Sequence, residues 1–492
     1  MLCLGIDIGT SAVKALISDD RDVTVAASEV PLTLQRPRDG WAEQDPEAWW
    51  LAVQQAMAAL RNEIGPRLAE VAAIGLSGQM HGAVLLDAQD RPLRPAILWN
   101  DGRSIAECRD LNETIPDLAA TLGVPAMPGF TLPKLSWIAR HQPELHREIA
   151  CVLLAKDYIR LKLTGTRATD MSDAAGSLLL DQAARRWWPA ALAAAGLTPE
   201  QMPALLEGPA ISGQLGRAVA AQLGLTAGIP VAAGAGDAAA GAIGIGAVED
   251  GDSFISLGTS CQLFVTTDSY RPNPAALVHA FAHGLPGRWF QMAAMLNGAS
   301  ALAWAASVLG GEPIASQLDE AATSGHAVSP VTFLPYLQGE RTPHNDAHAR
   351  GVFFGMDGGT RRSDLVQSVL EGVAFTLVDA QRVLAASGTM AASYALIGGG
   401  ARSRLWAEII ASALGRPVRL LAGGETGPAL GAARLARIAL TGAPAATVCT
   451  KPSIAAEIQP DARRQDALAR RFELFGALYL ALKPVFRTAS DN

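Results

Sequence analysis

The sequence predicts an α/β protein made of two duplicated domains facing a central cleft. Three observations carry this. The chain of 492 residues is long for one core and suits two domains of roughly 200–250 residues each. The stretch Leu4-Gly5-Ile6-Asp7-Ile8-Gly9-Thr10-Ser11 returns half a chain length later as Phe254-Ile255-Ser256-Leu257-Gly258-Thr259-Ser260. Ile255 answers Ile6, Leu257 answers Ile8, and Gly258-Thr259-Ser260 answers Gly9-Thr10-Ser11. In both halves strand-like runs precede helical ones. A repeat this long is not a solenoid. The expected domains are residues 1–245 and 246–492.

The opening stretch is an apolar run ending in Gly9-Thr10-Ser11, followed by a second apolar run from Val13 to Ile17. That pattern predicts a β-hairpin with a donor-rich turn. Backbone N–H groups and hydroxyls at Gly9, Thr10 and Ser11 suit an anion such as phosphate, and Gly9 permits close approach. Asp7, just before the turn, suits a hydrated Mg²⁺ beside phosphates. The second copy carries Ser256 in place of the acid, so one metal-assisted site serving one nucleotide is expected.

Composition narrows the function classes. Apolar residues are 49% and charged residues 18%, an ordinary globular balance. A net charge of −7 argues against nucleic acid or an anionic membrane as partner. The cysteines Cys3, Cys108, Cys151, Cys261 and Cys449 are scattered without metal-ligand spacing, so reduced thiols in a cytoplasmic protein are expected. The chain enters a strand at once, with no pattern of a secretory leader. The small-residue run from Pro230 to Val248 is Gly-rich and broken by Asp237, so it is not a membrane span.

In order along the first half, a third strand is expected at Val23 to Ala27. Asp45-Pro46-Glu47 offers an N-cap, a first-turn Pro and a first-turn acid, so a helix should run from there to about Leu60. Val71 to Leu76 is a strand ending in Ser77-Gly78-Gln79-Met80-His81-Gly82. Strand ends of this kind carry ligand-facing residues, which makes Gln79, Met80 and His81 candidate ligand contacts, with His81 able to hydrogen-bond a hydroxyl. Short strands at Ala83 to Leu86 and Pro95 to Trp99 precede a largely helical region from Ser104 to Leu163. The order βββαβα, repeated, resembles the actin-like, ribonuclease-H-like ATPase fold.

Gly234-Ala235-Gly236-Asp237, followed by Ala238-Ala239-Ala240-Gly241, is the sharpest single feature. A strand runs into a lone acid surrounded by tiny residues. Such a carboxylate suits a general base for an alcohol during phosphoryl transfer, whereas a plain helix cap would not need so many small neighbours. In the second half, the dense loop Phe333 to Pro343 could close over the cleft. Ser363 to Leu377 reads as an amphipathic helix. Leu396-Ile397-Gly398-Gly399-Gly400-Ala401 is a strand ending in three glycines, suited to the base and ribose of a nucleotide. Gly423-Gly424 and Gly427 to Ala433 form a further loop and helix expected to pack behind it. Gln459 to Phe486 reads as a closing helical brace.

Taken together, these motifs resemble the FGGY family of carbohydrate kinases. Two longer patterns strengthen the likeness. Gly129-x-Thr131-x-x-Lys134-Leu135-x-Trp137-Ile138-x-Arg140-His141 is similar to one family signature, and Gly351-x-Phe353-x-Gly355-Met356 with Asp364-Leu365 and Ser368-Val369-Leu370-Glu371 to the other. Further stretches that carry the likeness include Pro95 to Arg103, Asp170 to Gly176 and Gly339 to Asn345. The resemblance implies an ATP:sugar phosphotransferase with an alcohol group as acceptor. The implied reaction is phosphorylation of the 5-hydroxyl of D-xylulose, with Mg²⁺, in pentose catabolism. It implies Asp237 as catalytic base and Asp7 with Asp237 near Mg²⁺, through water. It places Gln79, Met80, His81 and Asp237 at the sugar. It places Gly9, Thr10, Ser11, Gly258, Thr259, Gly399, Gly400 and Ala401 at ATP. A homodimer is compatible with it.

One departure stands out: members acting on xylulose usually carry Asn after the catalytic Asp, and here that residue is Ala238. Alternatives are a kinase for ribulose, ribitol or glycerol in the same family, or a non-catalytic actin-like ATPase.

Overall fold

The opening hairpin pairs β1 (Leu2–Ile8) antiparallel with β2 (Ala12–Ser18), and β3 (Thr24–Pro31) extends it. Helix α1 (Pro46–Ile64) starts at the expected cap, with the Asp45 side chain accepting from the Glu47 N–H, and continues past Leu60. Strand β4 (Val71–Gly78) returns parallel to β1, setting Asp7 beside Ser77. After a helical insertion come α2 (Ala155–Thr164), α3 (Met171–Gly176), β5 (Ile211–Gln214) and β6 (Pro230–Ala232). The first sheet has the order β5-β6-β4-β1-β2-β3. A two-residue strand, Ala235–Gly236, adds to the end of β4 and leads into α4 (Asp237–Gly244).

The second sheet repeats the plan. It comprises β7 (Ser253–Leu257), β8 (Cys261–Thr267), β9 (His279–Ala282) and β10 (Trp289–Met295). Helices α5 (Ala299–Val308) and α6 (Arg362–Ala386) precede β11 (Tyr394–Ile397), and α7 (Arg404–Leu414) precedes β12 (Val418–Leu421). Then follow α8 (Pro428–Thr441), β13 (Ile454–Ile458) and α9 (Ala462–Ser490). The order is β9-β10-β8-β7-β11-β12-β13. Strand β7 matches β1, with an antiparallel neighbour on one side and a parallel one on the other. The likeness seen in one turn thus extends to a whole sheet, and the architecture is the two-domain, actin-like α/β fold. The structure, a computed structural model, describes residues 1–422 and 427–490. Gly423 and Gly424 lie outside the described residues.

Alternation along β1 decides what each of its faces meets. Leu4, Ile6 and Ile8 join Trp49, Val53 and Leu60 of α1 in one apolar layer, each buried aliphatic chain contributing roughly 1.5–3 kcal/mol. Cys3, Gly5 and Asp7 look the other way, where the layer is small: Cys3 and Ala73 against Ala433 and Ala436 of α8. Helix α8 was expected behind the triple-glycine loop. It instead lies across the first sheet. The reason is the close approach its partners allow. A Cβ on Gly5 would stand 1.9 Å from the Ala429 carbonyl oxygen, and one on Gly75 would stand 1.8 Å from that of Ala432. On its other side, Gly431 of α8 meets the Ala240 carbonyl of α4 equally closely.

Arg434 of α8 ties this arrangement down by hydrogen bonds to the Ile243 and Gly244 carbonyls and an ion pair with Asp22 at 2.8 Å. Helix α9 braces the second domain, packing Phe472, Phe475 and Tyr479 against Tyr336 and Phe375. All five cysteines are buried and free. No helix among the described residues is long and apolar enough to cross a membrane.

Candidate active site

A cavity of about 370 Å³ opens between the two sheets. Asp237, Met80 and His81 reach it from the first domain, and His279 and Arg341 from the second. Asp237 is the first residue of α4, and its Oδ1 accepts from the Ala238 N–H at 2.8 Å. Burial, and then the nearby Asp7 carboxylate, push its pKa up to about 7. Burial also raises Asp7, to about 6. Neither carboxyl is therefore as acidic as an exposed one: both ionise in a poorly hydrated place, and Asp237 does so beside a like charge.

The Asp7 Oδ1 is buried and has no hydrogen-bond partner among the described residues. Two neighbouring carboxylates, one with an orphaned oxygen, fit a divalent cation. No cluster of three or more His, Cys, Asp or Glu able to hold a metal occurs among the described residues. Phosphate oxygens and water would have to complete the shell, as Mg²⁺ prefers.

His81 follows the end of β4 with a left-handed φ of 73°. Its Nδ1 lies 2.6 Å from the Gly176 carbonyl oxygen. A carbonyl only accepts, so Nδ1 carries the proton and Nε2 is left as an acceptor. Burial holds the ring neutral, with its pKa pushed down to about 3. The His81 carbonyl in turn accepts from Lys134 Nζ at 2.9 Å and Thr131 Oγ1 at 3.1 Å. The glycine at 176 is required here: a Cβ would stand 2.5 Å from Met80 Cε and 2.9 Å from the His81 ring. The signature residues Thr131 and Lys134 thus act by fixing one loop.

Gln79, expected at the sugar, is placed elsewhere. It is buried and does not line the cavity. Its Oε1 accepts from Thr10 Oγ1 at 2.9 Å and its Nε2 donates to Gln44 Oε1 at 3.0 Å. It braces the first turn because a buried amide must satisfy both ends. The Thr10 hydroxyl also accepts from Trp99 Nε1 at 2.9 Å, so it is already engaged on both sides. Gly9, expected to offer its N–H to an anion, donates it to the Ala12 carbonyl at 3.0 Å, closing the turn. The backbone amides of Thr10 and Ser11 remain the candidates for a phosphate.

In the second turn, the Gly258 and Thr259 carbonyls accept from the amides that open α5, Ala299 at 2.7 Å and Gly298 at 3.0 Å. Beyond it, a second cavity of about 450 Å³ is lined by Gly399 and Ala401, and Ile397 borders both cavities. Gly400, expected at the nucleotide, is buried instead, packed so closely on Leu257 that a Cβ would strike its side chain at 2.4 Å. Gly398 takes a φ of 88° and lies against the Leu257 carbonyl. Gly398 and Gly400 let this loop rest directly on the second turn, while Gly399 faces open space.

Sequence reading left three cavity residues without a role. Trp99 lines the cavity and bonds Thr10. The buried His279 has an unpartnered Nε2. The Arg341 guanidinium has no ion pair or hydrogen-bond acceptor among the described residues. The loop carrying Arg341 was legible as a cleft-facing one. His279, a single histidine inside a strand, gave no signal.

A model of the FGGY family of carbohydrate kinases, N-terminal domain, matches residues 2–244, and its C-terminal counterpart matches residues 253–440. The chain belongs to the FGGY family of carbohydrate kinases. As an FGGY kinase it is 46% identical over 484 residues to the xylulose kinase of Escherichia coli (strain K12), covering 98% of this chain and 99% of the relative. Among solved structures, it resembles a xyloylose kinase from Brucella ovis with a TM-score of 0.96 and 47% identity, over 99% of this chain and 100% of that one. The xylulose kinase from Rhodospirillum rubrum follows with a TM-score of 0.93 and 31% identity, over 99% and 100%. This FGGY kinase is therefore a sugar kinase that uses ATP, with the first cavity at the junction of its duplicated domains and the second lined by the C-terminal domain.

Proposed function

We propose that this protein transfers the γ-phosphoryl group of ATP to the 5-hydroxyl of D-xylulose, giving D-xylulose 5-phosphate and ADP. The observation that carries the reading is Asp237, the one acid among the described residues that lines the cavity, poised near neutrality and close to the Asp7 carboxylate that precedes the first turn. The choice of xylulose rests on the full-length likeness to xylulose kinases.

The 5-hydroxyl lies against Asp237, which accepts its proton as the oxygen attacks the γ-phosphorus. A base poised near the working pH serves that step best. His81 Nε2 accepts from another sugar hydroxyl. The amides of the two turns hold the phosphates, and the Gly399–Ala401 side takes the nucleoside. Asp7 and Asp237 would hold Mg²⁺ through water, and the ion would neutralise phosphate charge when bound. Closure of the cleft keeps water from competing with the sugar.

A coupled ADP assay across D-xylulose, ribulose, ribitol and glycerol tests this. ADP release should require sugar, with kcat/KM greatest for xylulose. A preference for another acceptor would move the protein to a sister activity, and sugar-independent release would favour the plain ATPase.

Ala238 lines the cavity beside Asp237. Its methyl meets the sugar where relatives offer an amide. One added hydrogen bond is worth roughly 0.5–1.5 kcal/mol. Ala238→Asn should therefore lower KM for xylulose by up to about tenfold and leave KM for ATP unchanged. A normal melt with an unchanged or higher xylulose KM would show that position 238 does not face the sugar.

A further inference from the structure

The buried chain of polar groups behind Asp237 has no part in the reaction as described. Lys156 on α2, and Asp170 and Ser172 at the start of α3, are all fully buried. Lys156 Nζ lies 2.8 Å from Asp170 Oδ1, with Asp157 at 2.5 Å and Asp173 at 3.3 Å. Asp170 Oδ2 accepts from the Ser172 hydroxyl at 2.5 Å and from the Ser172 N–H at 2.7 Å. The Ser172 oxygen in turn accepts from the Gly236 N–H at 3.0 Å. Chemistry fixes every direction along this path. An ammonium only donates, a carboxylate only accepts, and an amide N–H only donates. The hydroxyl must therefore give its proton to Asp170 and turn its lone pair to Gly236.

We propose that Ser172 is a positioning residue for phosphoryl transfer, holding the Gly236 amide so that the next residue, Asp237, meets the acceptor hydroxyl. The proposal rests on the assignment of Asp237 as the base. Gly236 is the second residue of the two-residue strand, in register with Gly78 of β4, and α4 starts directly after it. A Cβ there would press on Met80 Cγ at 2.9 Å. The other end of α3 does the matching task for the sugar loop, because its last residue, Gly176, accepts from His81 Nδ1. One six-residue helix therefore sets the spacing between the base and the sugar-facing histidine. Asp170, anchored on Lys156, fixes the start of that helix and orients Ser172.

Small displacements are costly at such a site, about 1 Å being worth up to ~10²-fold in rate. Ser172→Ala should lower kcat by roughly 10–100-fold while the dissociation constant for ATP, measured by calorimetry, stays within about twofold. Ser172→Thr, which keeps the hydroxyl, should retain kcat within a few-fold of the parent. The deciding measurement is a double-mutant cycle. If Ser172 acts through Asp237, adding Ser172→Ala to Asp237→Asn should slow that variant no further than about twofold. A multiplied loss would overturn the proposal, as would a Ser172→Ala enzyme with the parent kcat.

Should Ser172→Ala not fold, Ser172→Cys replaces it in both measurements, its thiol being a weak acceptor. Parent-like turnover by the Cys variant would equally overturn the idea. Failure of the parent to phosphorylate xylulose would bear on the proposed reaction instead, and the cycle would then be run on whichever sugar the parent accepts.

Discussion

Asp237→Asn should lower kcat for xylulose by roughly 10²–10⁴-fold, the usual contribution of a general base. The amide still accepts from the Ala238 N–H, so the loop keeps its hydrogen bond and the loss isolates the missing base. In the parent, kcat/KM should fall as pH drops through about 7, where the Asp237 carboxyl takes up a proton and can no longer accept one from the sugar. Because Asp7 titrates next to it, the limb reports the pair. The same substitution should stabilise the protein. The folded pKa lies above the unfolded value of 3.8, so the ligand-free fold loses stability as pH rises between the two, and the loss is complete above about 7. Melting at pH 8 without ligands should therefore show the Asn variant above the parent, with the difference gone near pH 4. Turnover within a few-fold of the parent would remove Asp237 from the role of base. A lower melting temperature at pH 8 would show that the carboxylate is held by favourable contacts.

Among the described glycines, Gly75 should be the one least able to accept a methyl group, the change made by Gly75→Ala. The added Cβ would lie 1.8 Å from the Ala432 carbonyl oxygen and 2.5 Å from its carbon. Both are backbone atoms, so no side chain can swing aside. Overpacking of this kind costs typically about 1–3 kcal/mol and sometimes more, and here relief would require α8 to lift from β1 and β4 together. The loss should stand at the upper end, seen as a lower denaturant midpoint or as failure to accumulate folded protein. Gly241→Ala, in α4 but with open space around its Cβ position, is the matched control and should be nearly neutral. Equal stabilities for the two variants would contradict the docking of α8 on the first sheet.

The elements that announced themselves in the sequence did so through local rules. The hairpin turns, the Asp45 cap and the Gly-Asp strand end each involve residues within a few positions of one another, where spacing alone carries the signal. The destination of α8 did not. Its small face could have met either domain, and the deciding partners, Gly5 and Gly75, lie hundreds of residues away. The roles of Gln79 and Thr10 were hidden for a similar reason. A polar residue beside a binding loop can touch the ligand or hold the loop, and only the placement of Gln44 and Trp99 separates the two. The buried path from Lys156 through Asp170 and Ser172 likewise reaches its end at Gly236, 64 residues beyond Ser172, although the stretch from Asp170 to Gly176 had stood out as one that carries the family likeness.

Where α4 and α8 cross, backbone meets backbone, with Gly431 set on Ala240, and Arg434 pins only the far end of α4. Surfaces without protruding side chains have no teeth to interlock, so they tolerate a small roll that ridged helices would resist. Any turning of one half against the other is easiest about a line through this smooth bearing, and atoms near an axis travel least. Asp237 begins the helix that carries the bearing. The acid would then stand almost still while the far walls of the cleft sweep inward, and the nucleotide, on the longer lever arm, would be carried to it. A proton acceptor mounted on the axle keeps its alignment in open and shut forms alike, which places the burden of gating on the arrival of the phosphate.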